Sequence, residues 1–147
     1  MNYDDFRSAH AEAHAALLAL GKSVDDGGLE KELTELVKLR VSQINRCAFC
    51  IQLHLNIARK LHVDEAKLGL IGAWRDAGIF SDREKAALAW AEQLTHLSQT
   101  APSEDDWDKL RTIFNEHEAA LLTITVGAIN NWNRIAAALR FEPPVPE

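Results

Sequence analysis

Apolar residues recur at the helical period along nearly the whole chain, and no run of alternating β-branched residues competes with them. The pattern predicts an all-α fold. A first helix is expected from about Asp4 to Leu20, with Phe6, Ala13, Leu17 and Leu20 on its apolar side, Gly21 placed to end it and a turn at VDDGG beyond. A second runs from about Leu29 to Ile44, where Leu29, Leu33, Leu36, Val37, Arg40 and Ile44 share one stripe. The pattern breaks at NRC. A third helix starts near Cys47 and continues through Leu53, Ile57, Ala58 and Leu61, and a fourth follows Asp64, which suits an N-cap. Ser81 to Glu84 has capping-box spacing ahead of KAALAWAEQL, and PSEDD from Pro102 opens an acidic first turn before WDKLRTIF. The last helix is long, from about Glu116 to Leu139, and the prolines of FEPPVPE cannot continue it.

With 147 residues, 47 % of them hydrophobic, the chain is expected to form a single domain, residues 1–147, built as one compact helical bundle. No linker, fixed-period repeat or low-complexity stretch interrupts it. A net charge of −6, from 22 acidic and 16 basic residues, offers no basic footprint, so no nucleic-acid partner is expected. The N-terminal MNYDDFRSAH is acidic where a secretory signal is basic and then apolar, and the longest apolar run, AALLTITVGAI, is too short to span a membrane. A cytoplasmic location without membrane contact is the expectation. Four tryptophans and several nearly all-apolar helices leave apolar surface to cover, which predicts a homo-oligomer.

Both cysteines and one of the six histidines fall within CAFCIQLH, Cys47 to His54. Attachment of c-type haem needs His directly after the second Cys, and Ile51 stands there. Structural zinc takes four protein ligands where only Cys47, Cys50 and His54 lie close; a catalytic Cys2His metal centre stays open as an alternative. Thiol redox chemistry fits the spacing better. On a helix starting near Cys47, Cys50 lies about 60° and His54 about 20° away around the axis, so all three share one face. A helix start adds about 0.3–1 kcal/mol to a thiolate, rarely about 2, which leaves a free thiol near or above neutrality. His54, one turn beyond Cys50, is expected to supply the remainder, and to favour the Cys50 thiolate. An oriented imidazole usually has an acid behind it, but periodicity nominates none: Glu35 sits opposite the main stripe of its helix and reads as a solvated charge. An inert buried pair of cysteines, and a redox-sensing protein that is no enzyme, are the other readings.

Elsewhere the residues favour plain roles. HAEAH places His10 and His14 four apart, but with no further ligand nearby they read as a surface face. His62, His96 and His117 stand alone, and Trp74, Trp90, Trp107 and Trp132 read as core or interface anchors. NNWNR, Asn130 to Arg134, is polar for the middle of an apolar helix and reads as a structural hydrogen-bond node or subunit contact.

Glu35, eleven intervening residues and then Cys47-Ala-Phe-Cys50-Ile-Gln-Leu-His54 resemble the alkylhydroperoxidase D-like branch of the carboxymuconolactone decarboxylase family. LVKLRVSQINRCAFCIQLH, DREKAALAWAEQLT and INNWNR carry the resemblance from about Leu29 to Arg140. It implies an all-helical fold assembling into trimers or hexamers, and a thiol peroxidase or disulfide oxidoreductase acting on small alkyl hydroperoxides without cofactor or resident metal. By position, Cys50 would be the peroxidatic thiol that becomes a sulfenic acid, Cys47 the proton donor and resolving thiol, and His54 with Glu35 a proton relay. The resulting Cys47–Cys50 disulfide would be reopened by a thiol reductant, which for the family's characterised peroxidases is a lipoyl-bearing protein. Alkylhydroperoxidase D has a histidine directly before the second Cys, where this chain has Phe49. The decarboxylase branch lacks the cysteine pair, so decarboxylation is not implied.

Overall fold

The computed structural model describes residues 1–146 and contains, in chain order, α1 (Tyr3–Ala9), α2 (Ala11–Gly27), α3 (Lys31–Ile44), α4 (Ala48–Lys60), α5 (Glu65–Leu70), α6 (Asp82–Thr95), α7 (Glu104–Arg111) and α8 (Glu116–Leu139). A single 3₁₀ turn, Ile71–Ala73, follows α5, and the described residues contain no strand. The all-α expectation holds. None of these helices is long and apolar enough to cross a membrane.

α3 is the central element, packed against α4, α6 and α8. Leu33, Val37 and Val41 enter one apolar cluster with residues of α1, α4 and α8, including Phe6, Phe49, Leu122, Val126 and Ile129. Leu36 and Leu39 enter a second with Leu68, Ile71, Trp74, Phe80 and Leu88. Each fully buried aliphatic side chain contributes about 1.5–3 kcal/mol, so two-sided packing rather than local propensity fixes where α3 lies. This has a consequence for Glu35. A residue off the main stripe is solvated only when a helix has one buried side; α3 has two, and Glu35 is enclosed.

The ends of several helices follow their caps. Ser81, Ser103 and Asn115 each accept a hydrogen bond from the backbone three residues on while an acidic side chain reaches back, completing reciprocal caps on α6, α7 and α8. Asp64 caps α5 by accepting from the Ala66 amide at 2.9 Å. The bounds expected for the last helix, Glu116 and Leu139, are those observed.

The first helix departs from expectation. It divides at His10, and α2 runs straight through Gly21 to Gly27, ending only at Gly28 with φ 91°. Glycine inside a helix costs only about 1 kcal/mol, and the next turn brings Val24 into the core. Most of VDDGG is therefore the last turn of α2.

Candidate active site at the junction of α3 and α4

The loop between α3 and α4 is three residues long, and its geometry presents the first cysteine. Arg46 takes the left-handed conformation (φ 56°); its N–H donates to the Gln43 carbonyl at 3.1 Å, and the Cys47 N–H donates to the Ser42 carbonyl at 3.0 Å. These bonds satisfy otherwise unpaired carbonyls at the end of α3 and offset the roughly 1–2 kcal/mol that the left-handed conformation costs an L-residue. Cys47 thereby closes α3 and caps α4, with its sulfur accepting from the Cys50 amide at 3.3 Å.

Both cysteines are buried free thiols, with sulfurs 2.7 Å apart. Donation from the Cys50 thiol is the largest influence lowering Cys47; with the Cys50 and Phe49 amides and the Asn133 side chain it overcomes burial and brings Cys47 down to about 7. Cys50 moves the opposite way, because ionising it would cost the bond it donates and burial disfavours its charge. The pair is therefore asymmetric: Cys47 is the sulfur that takes negative charge more readily and Cys50 the one that keeps its proton. The expectation that Cys50 would be the more acidic thiol is not met in this dithiol state. Amide N–H groups at a helix start converge on the cap position, which Cys47 occupies, rather than on the third residue of the helix.

Glu35 and His54 meet across the α3/α4 interface. The Glu35 carboxylate is 1 % exposed; one oxygen lies 2.6 Å from His54 Nδ1 and the other accepts from Lys38 Nζ at 2.9 Å. Burial pushes the carboxyl up, but the His54 hydrogen bond and charge, reinforced by Lys38, outweigh it and hold Glu35 at about 2. An ionised Glu35 only accepts, so Nδ1 carries a proton and Nε2 is the nitrogen left for other chemistry. Glu35 is therefore an orienting acid rather than a solvated charge.

A cavity of about 330 Å³ opens over this group. Cys50, His54 and Glu35 line it together with Phe49, Leu53 and Trp132, whereas Cys47 lies behind Cys50 and out of its lining. The walls are mostly apolar, and Lys31 and Lys38 supply charge on one side. Phe49, between the cysteines, packs its ring 5.2 Å from that of Tyr3 and 5.3 Å from that of Phe141. All four candidate residues, Glu35, Cys47, Cys50 and His54, thus converge on one corner of the molecule. Among the described residues no three His, Cys, Asp or Glu side chains are arranged to hold a metal ion.

Two contributions to the thiol site, those of Asn133 and Lys38, escaped sequence reasoning. NNWNR does form a hydrogen-bond node: Asn45 Nδ2 donates to Asn130 Oδ1 and Asn133 Oδ1, at 3.0 and 2.9 Å, and Asn133 Nδ2 donates to Ser42 Oγ at 3.0 Å. Asn133 also lowers the cost of charge on both sulfurs. An influence that favours a thiolate is that of a donor, so Asn133 acts on the thiols through its amide N–H. The polar run within an apolar helix signalled the node, while nothing in the sequence tied it to the cysteines. Lys38 gave no signal at all. His14, expected on the surface, is 8 % exposed; its Nε2 lies 2.8 Å from the Tyr3 hydroxyl, and its ring packs edge-on to Trp132.

The profile of the carboxymuconolactone decarboxylase family matches residues 11–93. The uncharacterized protein YdfG of Bacillus subtilis (strain 168) is 31 % identical over 128 residues, covering 87 % of either chain. The solved structure of ATU0492 from Agrobacterium tumefaciens, a protein of unknown function proposed as the antioxidant defence protein AhpD, superposes with a TM-score of 0.90 at 36 % identity, covering 96 % of this chain and 97 % of that one. An uncharacterized peroxidase-related protein from Silicibacter sp. TM1040 gives a TM-score of 0.82 at 27 % identity, over 92 % of this chain and 72 % of its own.

Proposed function

This chain belongs to the carboxymuconolactone decarboxylase family, in its alkylhydroperoxidase D-like branch, and from that premise we propose that it is a thiol peroxidase reducing small organic hydroperoxides through Cys47 and Cys50. The observation that carries the reading is a pair of free thiols with sulfurs 2.7 Å apart, one of them lining a mostly apolar cavity beside an oriented imidazole.

Cys50 is the sulfur a substrate can reach. As it attacks the terminal oxygen of the hydroperoxide, its proton passes to the Cys47 thiolate; the S–O bond forms, the O–O bond breaks, and Cys47 returns the proton to the departing alkoxide. The products are an alcohol and a Cys50 sulfenic acid, with Cys47 again a thiolate. Cys47 then attacks Cys50, forming the disulfide and expelling hydroxide, which leaves as water with a proton from His54 Nε2. That proton is the one His54 took when the dithiol first ionised. Two electrons from an external thiol, for which a lipoyl-bearing protein is the proposed donor, reopen the disulfide. Phe49, where alkylhydroperoxidase D has a histidine, makes the wall beside Cys50 apolar and leaves His54 to carry the proton traffic. We further propose a cytoplasmic homo-oligomer.

The test is consumption of cumene hydroperoxide with dihydrolipoamide as reductant. The wild type should turn over, and hydroperoxide added without reductant should remove two thiols per chain; Cys50→Ser should do neither. Cys47→Ser should leave a sulfenic acid on Cys50 that dimedone traps. Absence of hydroperoxide-dependent thiol loss in the wild type sinks the reading.

A further inference from the structure

The buried Glu35 carboxylate has two candidate counter-charges, an imidazole on one oxygen and an ammonium on the other. Either could balance it, and the chemistry differs between the two cases. A neutral His54 with Nδ1–H on Glu35 has a lone pair at Nε2 and can take a thiol proton; an imidazolium has none and cannot.

We propose that Lys38 is a positioning residue whose ammonium shares in balancing the charge of Glu35 and fixes its carboxylate, so that His54 need not keep a proton for that purpose and is free to take one from the thiol pair and give it back. This rests on the peroxidase reading above for its purpose, though not for its electrostatics. Lys38 is suited to the role by its place: three residues from Glu35 on α3, it lies on the same face, its side chain is only 16 % exposed, and its Nζ lies 2.9 Å from Glu35 Oε1. Lys31 is no substitute. Its Nζ lies 4.0 Å from the same oxygen, and it is already paired with Asp25 of α2 at 2.9 Å. The other titratable groups around the cavity change little: Lys22 of α2 is exposed and paired with Asp26, Cys50 holds its proton, α1 brings only Tyr3, and α8 brings no charge, only Ala128, Ile129 and Trp132. Take Lys38 away and the remaining cation within hydrogen-bond reach of Glu35 is whatever proton His54 can hold.

The experiment follows the His54 ring nitrogens by ¹⁵N NMR across pH in the full chain, for wild type, Lys38→Gln, Lys38→Arg, Glu35→Gln and the Glu35→Gln/Lys38→Gln double variant. Charge superposition sets the signs. Lys38→Gln should move protonation of His54 to higher pH, by about one unit or a tenfold change in its proton affinity, a size ordinary for a charge at this range. Glu35→Gln should move it lower, the double variant should fall between the two, and Lys38→Arg should stay near the wild type. The rate of iodoacetamide alkylation against pH should follow the Lys38→Gln displacement. Should Lys38→Gln not fold, Lys38→Met gives the same charge removal with an apolar side chain of similar length. No upward displacement in a folded Lys38 variant, or the same displacement in Lys38→Arg, overturns the proposal. Because this readout needs no substrate, a wild type that fails to consume hydroperoxide while the displacements appear defeats the peroxidase reading and leaves the role of Lys38 supported.

Discussion

Glu35 shows how an acid is kept ionised out of water: each of its oxygens has a donor, and the two donors come from different directions. Its folded-state value of about 2 lies below the ordinary 4.5, so its contribution to stability is fully present above about pH 4.5 and is lost as pH falls toward 2. Urea midpoints for wild type and Glu35→Gln, measured at pH 7, 4 and 2.5, should therefore converge as pH falls; a constant difference would mean the carboxylate charge is not what stabilises. The thiol pair makes a second residue-scale prediction. The low value of Cys47 leans first on the Cys50 S–H, so Cys50→Ala should return Cys47 toward the ordinary thiol range, and Cys50→Ser, whose hydroxyl can still donate, should do so less. Alkylation rate of Cys47 against pH in the two variants reads this directly, and equal midpoints would assign the effect to the backbone amides instead. The cysteines and His54 were legible in the sequence because they share one helix, where spacing alone fixes their relation. Glu35, Lys38 and Asn133 belong to other helices, and no periodicity within one helix tells what faces it from the next. Only family resemblance brought Glu35 into the site.

At the scale of the element, the junction of α3 and α4 is set by one non-glycine residue in a conformation that glycine prefers. Arg46 is exposed, so its side chain is not what holds the turn; the two backbone bonds to Gln43 and Ser42 are. Arg46→Gly should remove the left-handed penalty and stabilise the protein by up to about 1 kcal/mol, less the extra freedom glycine gains when unfolded. Arg46→Val, branched at Cβ, should cost roughly 1–2 kcal/mol and disturb the cap at Cys47. Chemical denaturation of the two variants, with the Cys47–Cys50 disulfide measured against a dithiol buffer, checks both halves. Equal stability of the two would show that the turn adapts. Caps were the most legible feature of the elements, since Ser81 and Asp64 satisfy local donors that any helix start leaves unpaired. Gly21 was misread for the converse reason: its propensity to end a helix is worth little beside the burial of Val24 one turn further on.

Across the whole molecule, the two apolar clusters meet at α3, and the thiol site lies where that helix hands the chain to α4. The all-helical class was legible because period and caps agree along nearly the whole chain. Which helix would be central was not, because the stripe of α3 resembles that of a peripheral helix until its neighbours are known. The burial pattern also bears on assembly. Leu18 at 52 %, Leu97 at 56 % and Leu70 at 46 % stay exposed, as do Ile79, Ile113 and Ile124, in a chain whose core already holds Phe114, Leu122 and Ile129. Single exposed apolar residues are ordinary, but several on a chain of this size add surface that self-association would cover. The expected result is a homo-oligomer, with light scattering at micromolar concentration giving a small integer multiple of the 16.4 kDa chain. A strict monomer there would mean that these residues are tolerated singly. In that case the cavity over Cys50, with the aliphatic side chains of Leu17 and Leu18 in its wall, would be reached by substrate from open solvent and not past a neighbouring subunit.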